Sequence, residues 1–292
     1  MQSVRLQFEQ HNDYRTREAF KTLRTNIEFC GDVKVLEVTS CTPNEGKSSV
    51  AMEMAKTFAE AGNRTMLIDA DMRKSVLVGR YKTGAVRMGL THCLAGIASY
   101  TDVMCETNIL GLYVIFSGPV PPNPSELLGR EKFASVIQKL KEAFDYVIID
   151  TPPLGSVIDA AVAAKNCDGV VLVIENNAIS YKFAQRVKDQ LDKAESRILG
   201  VVLNKVDMSG KGYYGHYGKY YGKYYGKYYG RYGEDSIENK AAGAIPRPFR
   251  EDIIVETSRK DSAPKTVKTS EKKVKEKTTE ETGSDIEYLD DI

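Results

Sequence analysis

The chain has 292 residues, 42% of them hydrophobic and 28% charged, enough apolar material for one large domain or two small ones. Its 41 Lys and Arg nearly cancel 40 Asp and Glu, so a net charge of +1 offers no global field for nucleic acid or an anionic membrane. No stretch approaches the ~18 apolar residues of a membrane span, no signal-peptide run opens the chain, and Cys30, Cys41, Cys93, Cys105 and Cys167 form no CxxC pair, so the chain reads as cytosolic with reduced thiols, without a disulfide framework or a zinc site.

Near the N-terminus, Phe20, Leu23 and Ile27 fall on one face of a helix and Glu18, Lys21 and Arg24 on the other. Periodicity alone favours a helix docked on the domain with a solvated charged stripe over a stripe that crosses a subunit boundary. From residue 31 to 208, short β-rich runs at 33–40, 65–69, 112–117, 146–150, 169–175 and 198–204 alternate with helical patterns, notably 47–61 and 181–194. That alternation predicts an α/β fold with a mostly parallel sheet flanked by helices, several strands being buried on both faces. Ligands of such sheets sit beyond the carboxyl ends of the strands, at Ser40, Asp69, Ser117, Asp150 and Asn204.

After the first run comes Cys41-Thr42-Pro43-Asn44-Glu45-Gly46-Lys47-Ser48, with Ser49 next, then a helical pattern. This approximates the P-loop GxxxxGK[ST] with Cys41 in place of the first Gly. The loop from Pro43 to Ser49 is expected to wrap the phosphates of ATP through the backbone N–H groups of Asn44 to Ser49 and the helix N-terminus, with Lys47 on the β and γ oxygens and Ser48 on Mg²⁺. The second run ends Leu67-Ile68-Asp69-Ala70-Asp71-Met72-Arg73. If the chain stays extended, Asp69 and Asp71 lie on one side, where they could share a metal's hydration shell and accept a hydroxyl proton. The fourth ends Ile148-Ile149-Asp150-Thr151-Pro152-Pro153, the strand-tip acid that holds Mg²⁺ in a Walker B motif. A Pro-rich loop from Ser117 to Leu127 predicts an N-cap at Ser125. The last run closes on Asn204-Lys205-Val206-Asp207, which resembles the NKxD element that reads guanine in GTPases, and related ATPases use a similar Asn on adenine; four residues leave the base open.

Ten of the 17 Tyr crowd the end of this region: Tyr213, Tyr214, Tyr217, Tyr220, Tyr221, Tyr224, Tyr225, Tyr228, Tyr229 and Tyr232. Residues 209–233 add eight Gly and five Lys or Arg with no acid, and Tyr-Tyr-Gly-Lys recurs there. Residues 234–292 hold 15 acidic and 11 basic residues with few large apolar ones, the composition of a segment expected to be mostly disordered. A phosphate-handling domain tethered to a basic strip of tyrosines suggests phosphoryl transfer to tyrosine, with the chain as its own substrate. A stacking or adhesive segment, or a grip on single-stranded nucleic acid, is the competing use of such a strip.

Taken together, Glu18 to Arg24, the P-loop, the Asp69–Asp71 turn, Pro121-Pro122-Asn123-Pro124-Ser125-Glu126-Leu127-Leu128, the Asp150 strand end, Leu203 to Asp207 and the tyrosine cluster closely resemble the bacterial tyrosine kinases of capsular and exopolysaccharide synthesis, in their cytosolic split type. The resemblance covers about residues 14–232. Partition ATPases share the nucleotide motifs but lack the tyrosine strip and carry a signature Lys where this chain has Thr42. It implies a P-loop kinase domain at 31–208, an N-terminal helical segment at 1–30 that forms oligomer contacts, an autophosphorylation tail at 209–233 and a charged extension at 234–292. It further implies phosphorylation in trans within ring-like homo-oligomers, activation by a separate membrane protein of the polysaccharide co-polymerase type, reversal by a cognate tyrosine phosphatase, recruitment to the inner face of the membrane through the partner, and no nucleic acid. The family pattern Glu-x-x-Arg-x-x-Arg has Lys21 at its middle position here, which keeps charge but loses the bidentate fork. A partition-type regulatory ATPase, a GTPase and a tyrosine-rich scaffold with a vestigial P-loop are the rival readings; Lys47, Ser48, Asp69, Asp71 and Asp150, all present, oppose the last.

Overall fold

A computed structural model of the protein describes residues 2–8 and 14–206. In chain order these form β1 (Gln2–Val4), α1 (Tyr14–Glu28), β2 (Val35–Ser40), α2 (Lys47–Glu60), β3 (Thr65–Asp69), α3 (Leu77–Arg80), α4 (Leu90–Leu94), α5 (Tyr100–Val103), β4 (Met104–Thr107), β5 (Leu112–Ile115), α6 (Pro124–Leu128), α7 (Glu131–Ala143), β6 (Tyr146–Asp150), α8 (Asp159–Ala163), β7 (Gly169–Glu175), α9 (Tyr181–Lys193) and β8 (Ile198–Asn204). The strands lie side by side in the order β1-β4-β5-β3-β6-β2-β7-β8. Only β4 and β5 run antiparallel; the other neighbouring pairs are parallel.

The anticipated α/β sheet is therefore present, and its central strands are buried on both faces as their unbroken apolar runs require. Alternate side chains divide between two layers. Leu36, Val38, Leu67 and Ile148 pack with Met54 and Phe58 of α2 and Ile27 of α1. Met66, Ile68, Val147 and Ile149 point the other way, against Phe133, Ile137 and Leu140 of α7.

Differences from the expected elements have local causes. The first run begins as a strand at Val35 because Gly31, at φ 90°, turns the chain and Val33 N–H donates to its carbonyl. The third stops at Ile115, since the carbonyls of Phe116 and Ser117 accept from the N–H groups of Leu90 and Thr91 at the start of α4. Asn123, not Ser125, occupies the capping position of α6: Pro124 has its φ preset for a first helical turn, which draws Ser125 inside. Two short strands carry no apolar alternation. β4 pairs back on β5 across a turn closed by Gly111 at φ 83°, and β1 pairs with β4, so the N-terminal segment contributes a strand as well as the helix. Asn108 fastens that arm by accepting from Leu6 N–H and donating to the Leu6 carbonyl.

On α1, Ile27 is buried, with Phe20 and Leu23 packed beside the same core. Lys21 pairs with Glu18 at 2.8 Å on the outside. Arg24 departs from the outward stripe: its Nη1 donates to the Thr57 carbonyl of α2 at 3.1 Å, as cations near helix C-termini do.

Glu37 sits in β2 with no exposed surface. Oε1 accepts from Thr151 Oγ1 at 2.8 Å, whereas Oε2 has no hydrogen-bond partner. Burial pushes the carboxyl up to about 8, against the opposing effect of the Thr151 bond. An acid whose folded pKa is raised binds more protons when folded, so its contribution to stability is complete below about 4.5 and is lost as pH rises towards 8. Glu37→Gln keeps an acceptor for Thr151 and cannot ionise. Its stability relative to the parent is expected to grow across that window, by on the order of 4 kcal/mol at pH 8. Melting curves of both chains from pH 5 to 8.5 check this; a constant difference would refute the assignment.

A candidate active site at the carboxyl edge of the sheet

The loop from Cys41 to Ser48 joins β2 to α2, and its shape is held from outside. Glu45 is 1% exposed; its Oε2 accepts from Thr42 N–H at 2.7 Å and its Oε1 from Glu175 N–H at 3.4 Å. Asn204 Nδ2 donates to the Glu45 carbonyl at 2.8 Å, and Lys205 Nζ donates to the Asn44 carbonyl and pairs with Glu175 Oε2, each at 2.8 Å. These contacts hold Asn44 at φ 68° and Gly46 at φ 94°, left-handed values that turn successive loop N–H groups inward. A Cβ on Gly46 would lie 2.1 Å from Asn204 Nδ2 and displace that amide from the Glu45 carbonyl, and at φ 94° any side chain is strained, so glycine is favoured here. Glycine is unnecessary at position 41. The tight approach is met from the opposite side, by Gly155, where a Cβ would lie 2.2 Å from the Cys41 carbonyl. The Cys41 thiol is buried and its pKa is pushed up to about 12, by burial and by Glu45.

Gly46 caps α2 with no side-chain hydrogen bond, so the first-turn N–H groups keep the partial positive charge that binds anions. Into this end runs Lys47, only 9% exposed. Its Nζ lies 2.9 Å from Asp71 Oδ2, 3.6 Å from Asp150 Oδ1 and 3.1 Å from Ser48 Oγ. Burial alone would lower its pKa; Asp150 and Asp71 outweigh that and raise it, so the ammonium stays charged. The Ser49 hydroxyl accepts from Arg80 Nη1.

Asp69 and Asp150 end adjacent parallel strands and face one another in register. Neither has appreciable exposed surface. Asp69 Oδ2 accepts from Ser75 Oγ at 2.5 Å, while its Oδ1 and both oxygens of Asp150 have no hydrogen-bond partner. Both carboxyls are held above the usual range: Asp69 by burial and by Asp150, Asp150 by burial against the opposing pull of Lys47 and Ser48. The expected extended path from Asp69 to Asp71 is corrected here. β3 ends at Asp69, Met72 N–H bonds the Ala70 carbonyl, and this turn brings Asp71 to Lys47. Arg73 leaves the acidic pair and grips Asp159 through two bonds of 2.8 and 2.9 Å.

The structure thus gathers Lys47, Ser48, Asp69, Asp71 and Asp150, joins Pro43 to Ser49 to them as one loop, and sets Asn204 behind that loop. Glu18, Lys21 and Arg24 lie apart on α1; Asp207 and the tyrosines from Tyr213 to Tyr232 lie outside the described residues. Glu175, Lys205, Ser75, Gly155 and Asp159 escaped the sequence reading. Only Lys205, inside the NKxD-like element, carried a local signal; the others act on partners far away in the chain or through turns.

Residues 42–201 match the family model of an AAA domain, and with the loop and carboxylates above they define a P-loop nucleotide-binding protein. The chain belongs to the CpsD family of bacterial tyrosine-protein kinases. It is 46% identical over 208 residues to the tyrosine-protein kinase CpsD of Streptococcus agalactiae, an alignment spanning 70% of this chain and 91% of that one. Its fold matches the crystal structure of the chimerical protein CapA2B2 with a TM-score of 0.64 and 33% identity, covering 70% of this chain and 94% of the other. The septum site-determining protein MinD of Pyrococcus horikoshii OT3, complexed with Mg-ADP, shares the fold at a TM-score of 0.53 and 25% identity, covering 60% and 71% of the two chains. The protein is a tyrosine kinase with an ATP-binding P-loop. Among the described residues no helix is long and apolar enough to cross a membrane.

Proposed function

We propose that the kinase transfers the γ-phosphoryl group of ATP to the tyrosines from Tyr213 to Tyr232 of a neighbouring copy. The observation that carries this reading is the buried Lys47 ammonium, 2.9 Å from Asp71 and 3.6 Å from Asp150, beside oxygens of Asp69 and Asp150 that have no hydrogen-bond partner. The loop from Pro43 to Ser49 binds the phosphates through its N–H groups, and Lys47 stabilises charge on the transferring oxygens. Asp69 accepts the phenolic proton as the tyrosine oxygen bonds to the γ-phosphorus and the bond to the β-phosphate oxygen breaks, releasing ADP. Asp71 steadies Lys47 and is the alternative base. Asn204, behind the P-loop, completes the nucleotide site.

The donor set also suits Mg²⁺. Hard oxygens of Asp69 and Asp150 lack hydrogen-bond partners, Ser48 adjoins Asp150, and Mg²⁺ favours one or two such ligands together with water and phosphate over a full protein cage. When bound there, the ion would neutralise charge between the β- and γ-phosphates.

Covalent tethering through Gly-rich sequence raises the local concentration of acceptor to about millimolar. Its five Lys and Arg favour docking against the acidic strand ends and weaken that hold as phosphates accumulate. The family resemblance supports the wider setting: a ring-like homo-oligomer meeting through Glu18, Lys21 and Arg24, a separate membrane activator, a cognate phosphatase, and control of capsular or exopolysaccharide synthesis from the inner face of the membrane. Labelled ATP incubated with the full chain and with a chain lacking residues 209–233 tests the acceptor. Label is expected on the first and lost from the second; equal incorporation would overturn the proposal.

A further inference from the structure

Two turns of the site are built from distant parts of the chain, and an ion pair between Arg73 and Asp159 ties them. One is the acidic turn after β3, in which Asp69 accepts from Ser75 and Asp71 Oδ1 from Lys74 N–H at 3.0 Å. The other is the segment 151–158 after β6. It is pinned to the base of the P-loop: Leu154 N–H donates to the Ser40 carbonyl at 2.9 Å, Thr39 Oγ1 to the Pro152 carbonyl at 2.9 Å, and Gly155 abuts the Cys41 carbonyl. At its far end Asp159 is fully buried, and both its oxygens take the fork of Arg73. Arg73 itself keeps 40% of its side chain exposed. A surface side chain has therefore been committed to a carboxylate with no access to water, an arrangement worth little as a surface ion pair and costly if broken. Its geometric effect is to close a ring from P-loop through segment 151–158 to the turn bearing Asp69 and Asp71.

We propose that Arg73 is a positioning residue for phosphoryl transfer: through Asp159 it holds the turn of Asp69 and Asp71 at a fixed distance from the P-loop. This rests on the reading of those two carboxylates as the groups that handle the tyrosine proton and Lys47. Bound phosphates meet the P-loop whether or not the ring is closed, so the contact governs the chemical step and leaves ATP affinity nearly unchanged. A displacement of about 1 Å at the reacting groups is enough to cost on the order of 100-fold in rate. Lysine supplies the charge without the fork and cannot substitute.

The test uses the full chain with Mg-ATP and follows tail phosphorylation, the KM for ATP and the melting temperature. Arg73→Lys is expected to lower kcat about 30- to 100-fold with KM within about threefold of the parent. Because single substitutions leave a buried charge poorly matched, the pair Arg73→Gln with Asp159→Asn is made as well; its neutral amides are expected to restore melting without restoring the rate. A double variant that melts and phosphorylates like the parent, or an Arg73→Lys loss confined to KM, overturns the proposal. If the parent labels no tyrosine, it is the acceptor assignment that falls, and hydrogen exchange then decides the clamp. Amides of 69–75 and 151–159 rising together in Arg73→Lys support it, and a rise in only one of these segments refutes it.

Discussion

Lys47→Met is expected to abolish phosphate on the tail, a loss of at least about three orders of magnitude in rate. The ammonium pairs with both Asp71 and Asp150 and would meet the transferring phosphoryl group, so one methyl thioether removes both charge neutralisation and phosphate positioning. Buried carboxylates left without it repel one another, and some loss of stability accompanies the loss of activity. Melting of the variant with and without ATP separates the two effects: a chain that still folds but gains no protection from ATP has lost the site. Mass spectrometry of the tail checks the outcome, and undiminished phosphorylation would remove Lys47 from the mechanism.

The second large effect is expected from Asp69→Asn, which preserves shape and an acceptor for Ser75 while removing the base. General-base contributions are typically 10²- to 10⁴-fold, and a loss of about that size in kcat is expected with little change in KM for ATP. Burial and the facing Asp150 hold the Asp69 carboxyl above its ordinary range, which makes it a better proton acceptor than a solvated aspartate. Asp71→Asn provides the contrast. Its carboxylate already holds Lys47 at 2.9 Å, so its removal should disturb KM as well as kcat. If kcat falls further in Asp71→Asn than in Asp69→Asn, the two roles are exchanged.

Most of the sheet could be read in advance because its strands are continuous apolar runs that only a doubly covered position can bury. Four of them coincide residue for residue with the expected spans, at 65–69, 146–150, 169–175 and 198–204. β1 and β4 could not be read this way. Each is short and of mixed polarity, and each exists through a neighbour: β4 through its turn onto β5, β1 through β4 and Asn108. The last strand shows the opposite mismatch, an apolar run at the edge of the described sheet with Val201 57% and Leu203 41% exposed.

Within the site, a similar division holds. Lys47, Ser48, Asp69, Asp71 and Asp150 were legible because each belongs to a short motif whose backbone context, strand then turn or loop then helix, is dictated locally. Which carboxylates face each other was not, for that follows from parallel register between β3 and β6, and register is a property of two segments some 80 residues apart. The same holds for the grip of Arg73 on Asp159 and for the braces that Glu175, Asn204 and Lys205 place on the P-loop. By itself, then, the sequence determined the chemical inventory and the order of its elements, since periodicity and motif are short-range. Tertiary structure alone decided which charges are buried together, because desolvation and Coulomb interaction depend on distance through space.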